Sequence, residues 1–405
     1  MTLEQYGDYF YLYILIIFLL PAVILGILEK PIKYYGLFLS IIMIPILMRH
    51  NFNEIYPMFI QGNIKGVIKS GQMEFLLFLI FLFVEILVIK GYLEIRKRTD
   101  NKYIYYIFLF LSILPVLIAK ITSITSIGAV GFLGLSYLNF KVIQMVIEIY
   151  DGVLNEISLI KTLYFIIFFP TLSSGPIDRY RRFDSDLNRR IERKEYINDY
   201  LIKGIEYIFQ GILYKFIISA LINVLWIDKI PKDISWYHGI KYMYSYSLYL
   251  FFDFAGYSAF AIGTSYILGI KTPINFNKPF LSKDMKEFWT RWHISLSRWF
   301  GDYIFSRFVL NSMRKKRFKS RFTASHVAQI LTMLIMGIWH GFEVYYIIYG
   351  LYQGIVLVLT DIFQRKSKFY KAHKKEKWFQ CVEIIVTFNI ACFGLLIFSG
   401  YGFNK

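Results

Sequence analysis

The sequence predicts an all-α, polytopic integral membrane protein, and three observations predict it. The 405 residues are 56% hydrophobic and only 18% charged, more apolar surface than a soluble domain of this size can bury. The apolar residues come in blocks, and the first, Phe10 to Leu28, carries no charged side chain and is long enough to cross a hydrocarbon core as a helix. The net charge of +18 sits largely between the blocks, where positive-inside topology and anionic headgroups account for it before nucleic acid does. A basic cytoplasmic face also suits an acidic soluble partner.

The flank before the first block carries Glu4 and Asp8 and no basic residue, unlike the n-region of a cleavable signal, so this helix is expected to be retained. Lys30 and Lys33 follow it, which places the N-terminus outside and residue 30 inside. Further apolar blocks run from Tyr34 to Met48, Phe75 to Ile89, Tyr103 to Ala119, Ile121 to Phe140, Ser158 to Phe169, Gly204 to Trp226 and Tyr242 to Ile270. Val327 to Trp339, Val344 to Thr360 and Cys381 to Phe398 complete the series. A bundle of about ten to twelve spans is expected, with irregular backbone where Gly and Pro interrupt the blocks and line a cavity. Three basic stretches, Arg179 to Lys194, Arg314 to Arg321 and Arg365 to Lys377, lie between blocks and suit a headgroup-facing surface. No linker or repeat divides the chain, so residues 1–405 are expected to form a single transmembrane domain.

Six histidines occur, at 50, 238, 293, 326, 340 and 373. His373 lies in a basic run and His50 follows Arg49, so both suit an interface. His340 differs, because it ends the run LTMLIMGIWHGF, and an ionisable group at an apolar helix end by default marks a functional site. Gly337 and Gly341 admit close approach there, and Trp339 supplies a wall. A desolvated imidazole stays neutral and can take a proton from a hydroxyl; a hydrogen-bonded structural role is the alternative.

The segment DMKEFWTRWHISLSRWFGDYIF reads as an amphipathic helix lying in the interface. Helical spacing puts Trp289, Trp292 and His293 on one face and makes i, i+4 pairs of Glu287 with Arg291 and Arg298 with Asp302. His293 then either lines the cavity or anchors that helix. FPTLSSGPIDRYRRF, at 169–183, carries turn chemistry where the chain re-enters or leaves the bilayer. Asp253, within FFDFAGYSAFAIGTSYILGI, must be paired or hydrogen-bonded, and a structural role is favoured. Cys381 and Cys392 are eleven positions apart in one apolar run, about 16 Å along a helix, too far for a disulfide. The sequence has no Walker loop, dinucleotide fingerprint, Gly-x-Ser-x-Gly elbow or HExxH, which leaves phosphotransfer, hydride transfer and zinc proteolysis without support.

Trp-x-x-Trp-His at 289–293, Trp-His-Gly at 339–341 and Ser-Gly-Pro at 174–176 resemble the membrane-bound O-acyltransferase family. The strings SSGPIDRYRRF, YLNFKVIQMVIEIYDG, FDFAGYSAFAIG, NKPFLSKDMKEFWTRWHISLS and MGIWHGFEVYYIIYGLY resemble in particular the branch of that family that acts in teichoic acid D-alanylation. The likeness runs from about residue 10 to Gly400. Polysaccharide O-acetyltransferases of the same family usually carry a second Asp where this chain has Ala259. One departure is Gly301, where relatives usually carry Arg.

The resemblance implies a ring of transmembrane helices with short interfacial helices, around a central funnel and tunnel that meet at His340 with His293 nearby. It implies an acyltransferase with catalytic His340 and His293 and no bound cofactor. The phosphopantetheine is carried by an acidic D-alanyl carrier protein on the cytoplasmic face. The acceptor it implies is lipoteichoic acid, reached directly or through another membrane subunit. Two alternatives stay open: a polysaccharide O-acetyltransferase of the same family, and a transporter or flippase of an envelope precursor, since buried polar groups also mark substrate pathways.

Overall fold

The computed structural model describes residues 5–48, 64–123, 131–231 and 235–403, excepting the side chains of 64–73 and 123. His50 lies outside these residues. Every regular element among them is helical. In chain order these are α1 (Tyr9–Ile27), α2 (Ile32–Leu47), α3 (Ile64–Arg96), α4 (Lys102–Ser123), α5 (Leu135–Tyr150), α6 (Leu159–Ile167) and α7 (Tyr180–Asn188). There follow α8 (Arg193–Lys229), α9 (Trp236–Ile267), α10 (Met285–Arg291), α11 (Ile294–Phe300) and α12 (Ser306–Arg314). The chain closes with α13 (Arg321–His340), α14 (Val344–Lys366), α15 (Lys368–His373) and α16 (Lys377–Phe398).

Seven of the described helices, α1, α3, α4, α8, α13, α14 and α16, are long and apolar enough to cross a membrane. The chain is therefore an all-α, multi-pass membrane protein, as its blocks predict. Of the other blocks that entered the expected ten to twelve spans, Ile121–Phe140 runs through residues 124–130, outside those described, and the rest fold into helices that are shorter or more polar. Helix α2 has 16 residues and α6 nine. Helix α9 is long, but its first half is rich in Tyr and Ser. Two π-helical stretches, Tyr196–Leu201 and Ile212–Ser219, interrupt α8, as local bulges do in long helices.

The described residues cluster into two compact units, and α8 and α9 contribute to both. The first unit comprises residues up to Gly211 together with Tyr257–Pro273. Its centre is aromatic: Tyr6 stacks on Phe260 at 5.6 Å and meets Tyr11 and Tyr257 edge-on. Helix α5 inserts polar side chains that no hydropathy pattern would flag. The Lys141 ammonium donates to the carbonyls of Phe165 (3.0 Å) and Ile166 (3.2 Å), which lie in the last turn of α6, where helical acceptors are orphaned. Asn139 donates to Ser112 O at 2.6 Å and Gln144 to Asp178 O at 2.9 Å. The Ser-Ser-Gly-Pro turn lies in this unit, with Ser173 bonded to Tyr257 and, at 2.9 Å, to Gln5. After it, Arg182 bonds Asp178 and Asp186 and donates to Lys271 O.

The second unit comprises Ile212–Gly256 and residues from Ile274 onward. At its heart α13 and α14 form an antiparallel hairpin. A Cβ at Gly350 would stand 2.6 Å from Met333 O, and one at Gly354 would stand 2.8 Å from the Ile330 Cα, so this Gly-x-x-x-Gly face lets the two backbones touch. Asp253 is ion-paired in this unit, its carboxylate 2.5 Å from Lys215 Nζ, as a charge in that apolar setting requires.

Candidate active site

The Trp-x-x-Trp-His segment is not one helix. Asp284 starts α10 by accepting from Glu287 N at 2.8 Å, while the Glu287 carboxylate reaches back to Lys283 N at 2.8 Å, a reciprocal cap. Helix α10 ends at Arg291, and α11 begins at Ile294. Between them His293 takes a left-handed backbone, φ 43° and ψ 53°, a conformation that costs a non-glycine residue about 1–2 kcal/mol and that marks functional positions. The expected interfacial helix, with Trp289, Trp292 and His293 on one face, is therefore corrected to two helices of seven residues each.

A neighbouring loop holds the break on both sides. Asn277 N donates to Arg291 O and Ile294 N to Asn275 O, each at 2.9 Å. The Asn275 Oδ1 accepts from Ser295 N and, at 2.6 Å, from Ser295 Oγ. Trp292 stacks on Phe288 at 5.6 Å and meets Phe276 edge-on at 5.2 Å. Trp289 Nε1 donates to Gln353 of α14 at 3.3 Å, so the first Trp ties the break to the hairpin. The expected Glu287–Arg291 pair is present at 2.6 Å.

His293 is thereby sealed. It is 4% exposed and meets Phe254 of α9 edge-on at 4.8 Å. Burial pushes its imidazole down to about 3, and the neighbouring His340 lowers it further, so His293 is neutral at any working pH.

His340 is the last residue of α13 and is half-buried. Its ring sits among four aromatic rings: Trp339 at 4.6 Å, Phe398 edge-on at 4.9 Å, Tyr346 at 5.9 Å and Tyr349 edge-on at 6.3 Å. These come from α13, α14 and α16, so three apolar helices end at this ring. Gly337 permits the turn of the hairpin, since a Cβ there would lie 2.3 Å from Tyr346 O. Of the two expected site residues, then, one is sealed and one half-open, and both lie in the second unit.

Hydropathy gave no notice of a charged knot in the same unit. Asp361 of α14 contacts Lys286 of α10, His326 Nε2 of α13 at 2.8 Å and Arg365 Nε at 2.6 Å. Gln364 extends the knot by donating to the α10 cap residue Asp284 at 2.7 Å. It binds α10, α13 and α14 together, the helices that lead to both histidines. Only the Asp361–Arg365 spacing was visible in sequence; the partners at 286 and 326 come from other helices.

Known proteins bear on this arrangement. The chain matches the membrane-bound O-acyltransferase family over residues 63–401. It is 42% identical over 416 residues to a teichoic acid D-alanyltransferase of Bacillus subtilis (strain 168), covering 99% of each chain. It is 39% identical to a teichoic acid D-alanyltransferase of Streptococcus thermophilus, covering 98% of this chain and 95% of that one. A probable alginate O-acetylase of Pseudomonas syringae pv. tomato is 30% identical over 65% of this chain and 48% of its own. The match over residues 63–401 and the 42% identity along nearly the whole chain establish that the chain belongs to the membrane-bound O-acyltransferase family.

Proposed function

We propose that the protein transfers D-alanine from the phosphopantetheine thioester of a cytoplasmic D-alanyl carrier protein towards lipoteichoic acid, directly or through another membrane subunit. The observation that carries this reading is the half-open His340 ring at the meeting of three apolar helix ends, beside a sealed and neutral His293. The likeness to teichoic acid D-alanyltransferases over nearly the whole chain supports D-alanine as the acyl group, and it favours this over acetyl transfer to a polysaccharide.

In the proposed reaction His340 is the general base. Its neutral imidazole takes the proton of an acceptor hydroxyl as that oxygen attacks the thioester carbonyl carbon. The C–O bond forms, the C–S bond breaks, and the imidazolium returns the proton to the departing thiolate. His293, neutral and fixed by its backbone, polarises or positions the thioester. The protein itself binds no cofactor, and the pantetheine arm belongs to the carrier. With the N-terminus outside, Lys30 and Lys33 lie on the cytoplasmic side, and a basic cytoplasmic face suits an acidic carrier.

The test follows radiolabelled D-alanine from purified carrier thioester in membranes bearing the full chain, with an acetylated carrier in parallel. D-alanyl discharge that depends on the protein, exceeds acetyl discharge and weakens as salt rises supports the reading. Equal discharge of both thioesters would remove the substrate assignment, and discharge indifferent to ionic strength would remove the electrostatic docking.

A further inference from the structure

The first unit contains a cavity of about 350 Å³ where α1 gives way to α2 and where α7 ends. Lys30, Lys33, Arg189 and Arg190 line it, with Glu29 and Asp186 as the acidic members. Both carboxylates are already engaged. Glu29 accepts from Arg193 N at 3.1 Å and from Arg190 at 3.4 Å, and Asp186 accepts from Arg182 at 2.7 Å and from Lys271 N at 2.9 Å. Arg190 is thereby matched by Glu29, and Arg189 by Glu195 at 2.6 Å, so Lys30 and Lys33 are the cations that make the cavity attractive to an anion.

The anion's source is indicated by what adjoins the cavity. Tyr34 lines it and is 70% exposed. Phe38 and Ile41 are also exposed and follow at helical spacing i+4 and i+7, so one apolar stripe leads away from the cavity along α2 for about 10 Å. Free phosphate would leave that stripe unused, and a soluble protein would have to enter the membrane to reach it. An acyl chain fits it. Basic pockets at the cytoplasmic ends of membrane helices recognise phospholipid headgroups by this chemistry.

We propose that this cavity binds the phosphate-bearing headgroup of an anionic glycerophospholipid, with an acyl chain laid along Tyr34, Phe38 and Ile41. Its lining includes neither histidine, and a lipid held there anchors the α1–α2 turn to the membrane surface.

The test is native mass spectrometry of the full chain in detergent, offered equal amounts of phosphatidylglycerol and phosphatidylcholine. The wild type should retain phosphatidylglycerol at least tenfold over phosphatidylcholine. Lys30→Gln/Lys33→Gln should lower that retention by roughly thirty-fold, from the strength of two cations at a membrane surface. Lys30→Arg/Lys33→Arg, which keeps both charges, should retain it, and Phe38→Ser should weaken it. Equal retention of the two lipids would overturn the proposal. So would displacement by millimolar inorganic phosphate with no effect of Phe38→Ser, which would make this a phosphate site. Displacement of phosphatidylglycerol by an acidic carrier protein would assign the cavity to protein docking instead.

Discussion

His293 and His340, the two residues proposed for the reaction, are built in opposite ways. His293 occupies a left-handed kink between two seven-residue helices, bracketed by Asn275 and Asn277 and sealed from solvent. His340 ends a 20-residue helix with its ring half-open among aromatic walls. A ring that must exchange protons with an arriving hydroxyl needs access, whereas a ring that must hold a substrate atom in place needs rigidity. In the proposed reaction the two environments would divide the labour, with His340 doing the chemistry and His293 setting the geometry.

Four perturbations sharpen that division, or break it. His340→Ala should lower the transfer rate roughly 10²- to 10⁴-fold, the worth of a general base, while leaving the thermal midpoint in detergent unchanged. An equal loss of stability would make His340 structural. Asp361→Ala strands Lys286, His326 and Arg365 around a missing carboxylate. It should cost about 2–3 kcal/mol, less than a fully buried ion pair because Lys286 and Arg365 are part-exposed. Asp361→Asn should recover part of that in thermal unfolding.

The third perturbation is pH. The folded His293 protonates near 3 and the unfolded one near 6.5, so below pH 6.5 the unfolded chain binds more protons. Stability is then fully present above that value and falls as pH drops towards 3, by about 2 kcal/mol between pH 7 and pH 5. His293→Asn, whose side chain tolerates the left-handed backbone, should flatten this slope in detergent thermal scans. A slope unchanged in the variant would contradict the sealed, neutral state. The smallest effect is expected at Gly301. It has ordinary helical φ and ψ, and nothing lies within 4 Å of where its Cβ would stand. Gly301→Arg, the residue usual in relatives, should fit and gain up to about 1 kcal/mol from helix propensity, with transfer unchanged.

Much of this was legible in the sequence wherever a helix is apolar along its length. The block from Val344 opens at the first residue of α14, and the block ending at Phe398 closes with α16. His340 was legible for the same reason, since a histidine at the end of such a run stands out. The kink at His293 was not legible, because DMKEFWTRWHISLSRWF carries helical i, i+4 spacing throughout. What breaks it is tertiary, namely hydrogen bonds from residues 275 and 277. Helix α5 was obscured in the same way: Asn139, Lys141 and Gln144 look solvent-facing but satisfy buried carbonyls. The charged knot at Asp361 joins residues 75 and 35 positions apart, beyond any local pattern.

The half-open and sealed rings differ in one property that a single measurement reads directly: whether a small molecule can replace them. Single-turnover D-alanyl transfer by His340→Ala and His293→Ala would be measured with and without added imidazole, with folding verified for each. Partial rescue of His340→Ala and none of His293→Ala is the predicted result. Rescue of His293→Ala alone, or wild-type transfer by His340→Ala without imidazole, would contradict the assignment of His340 as the base.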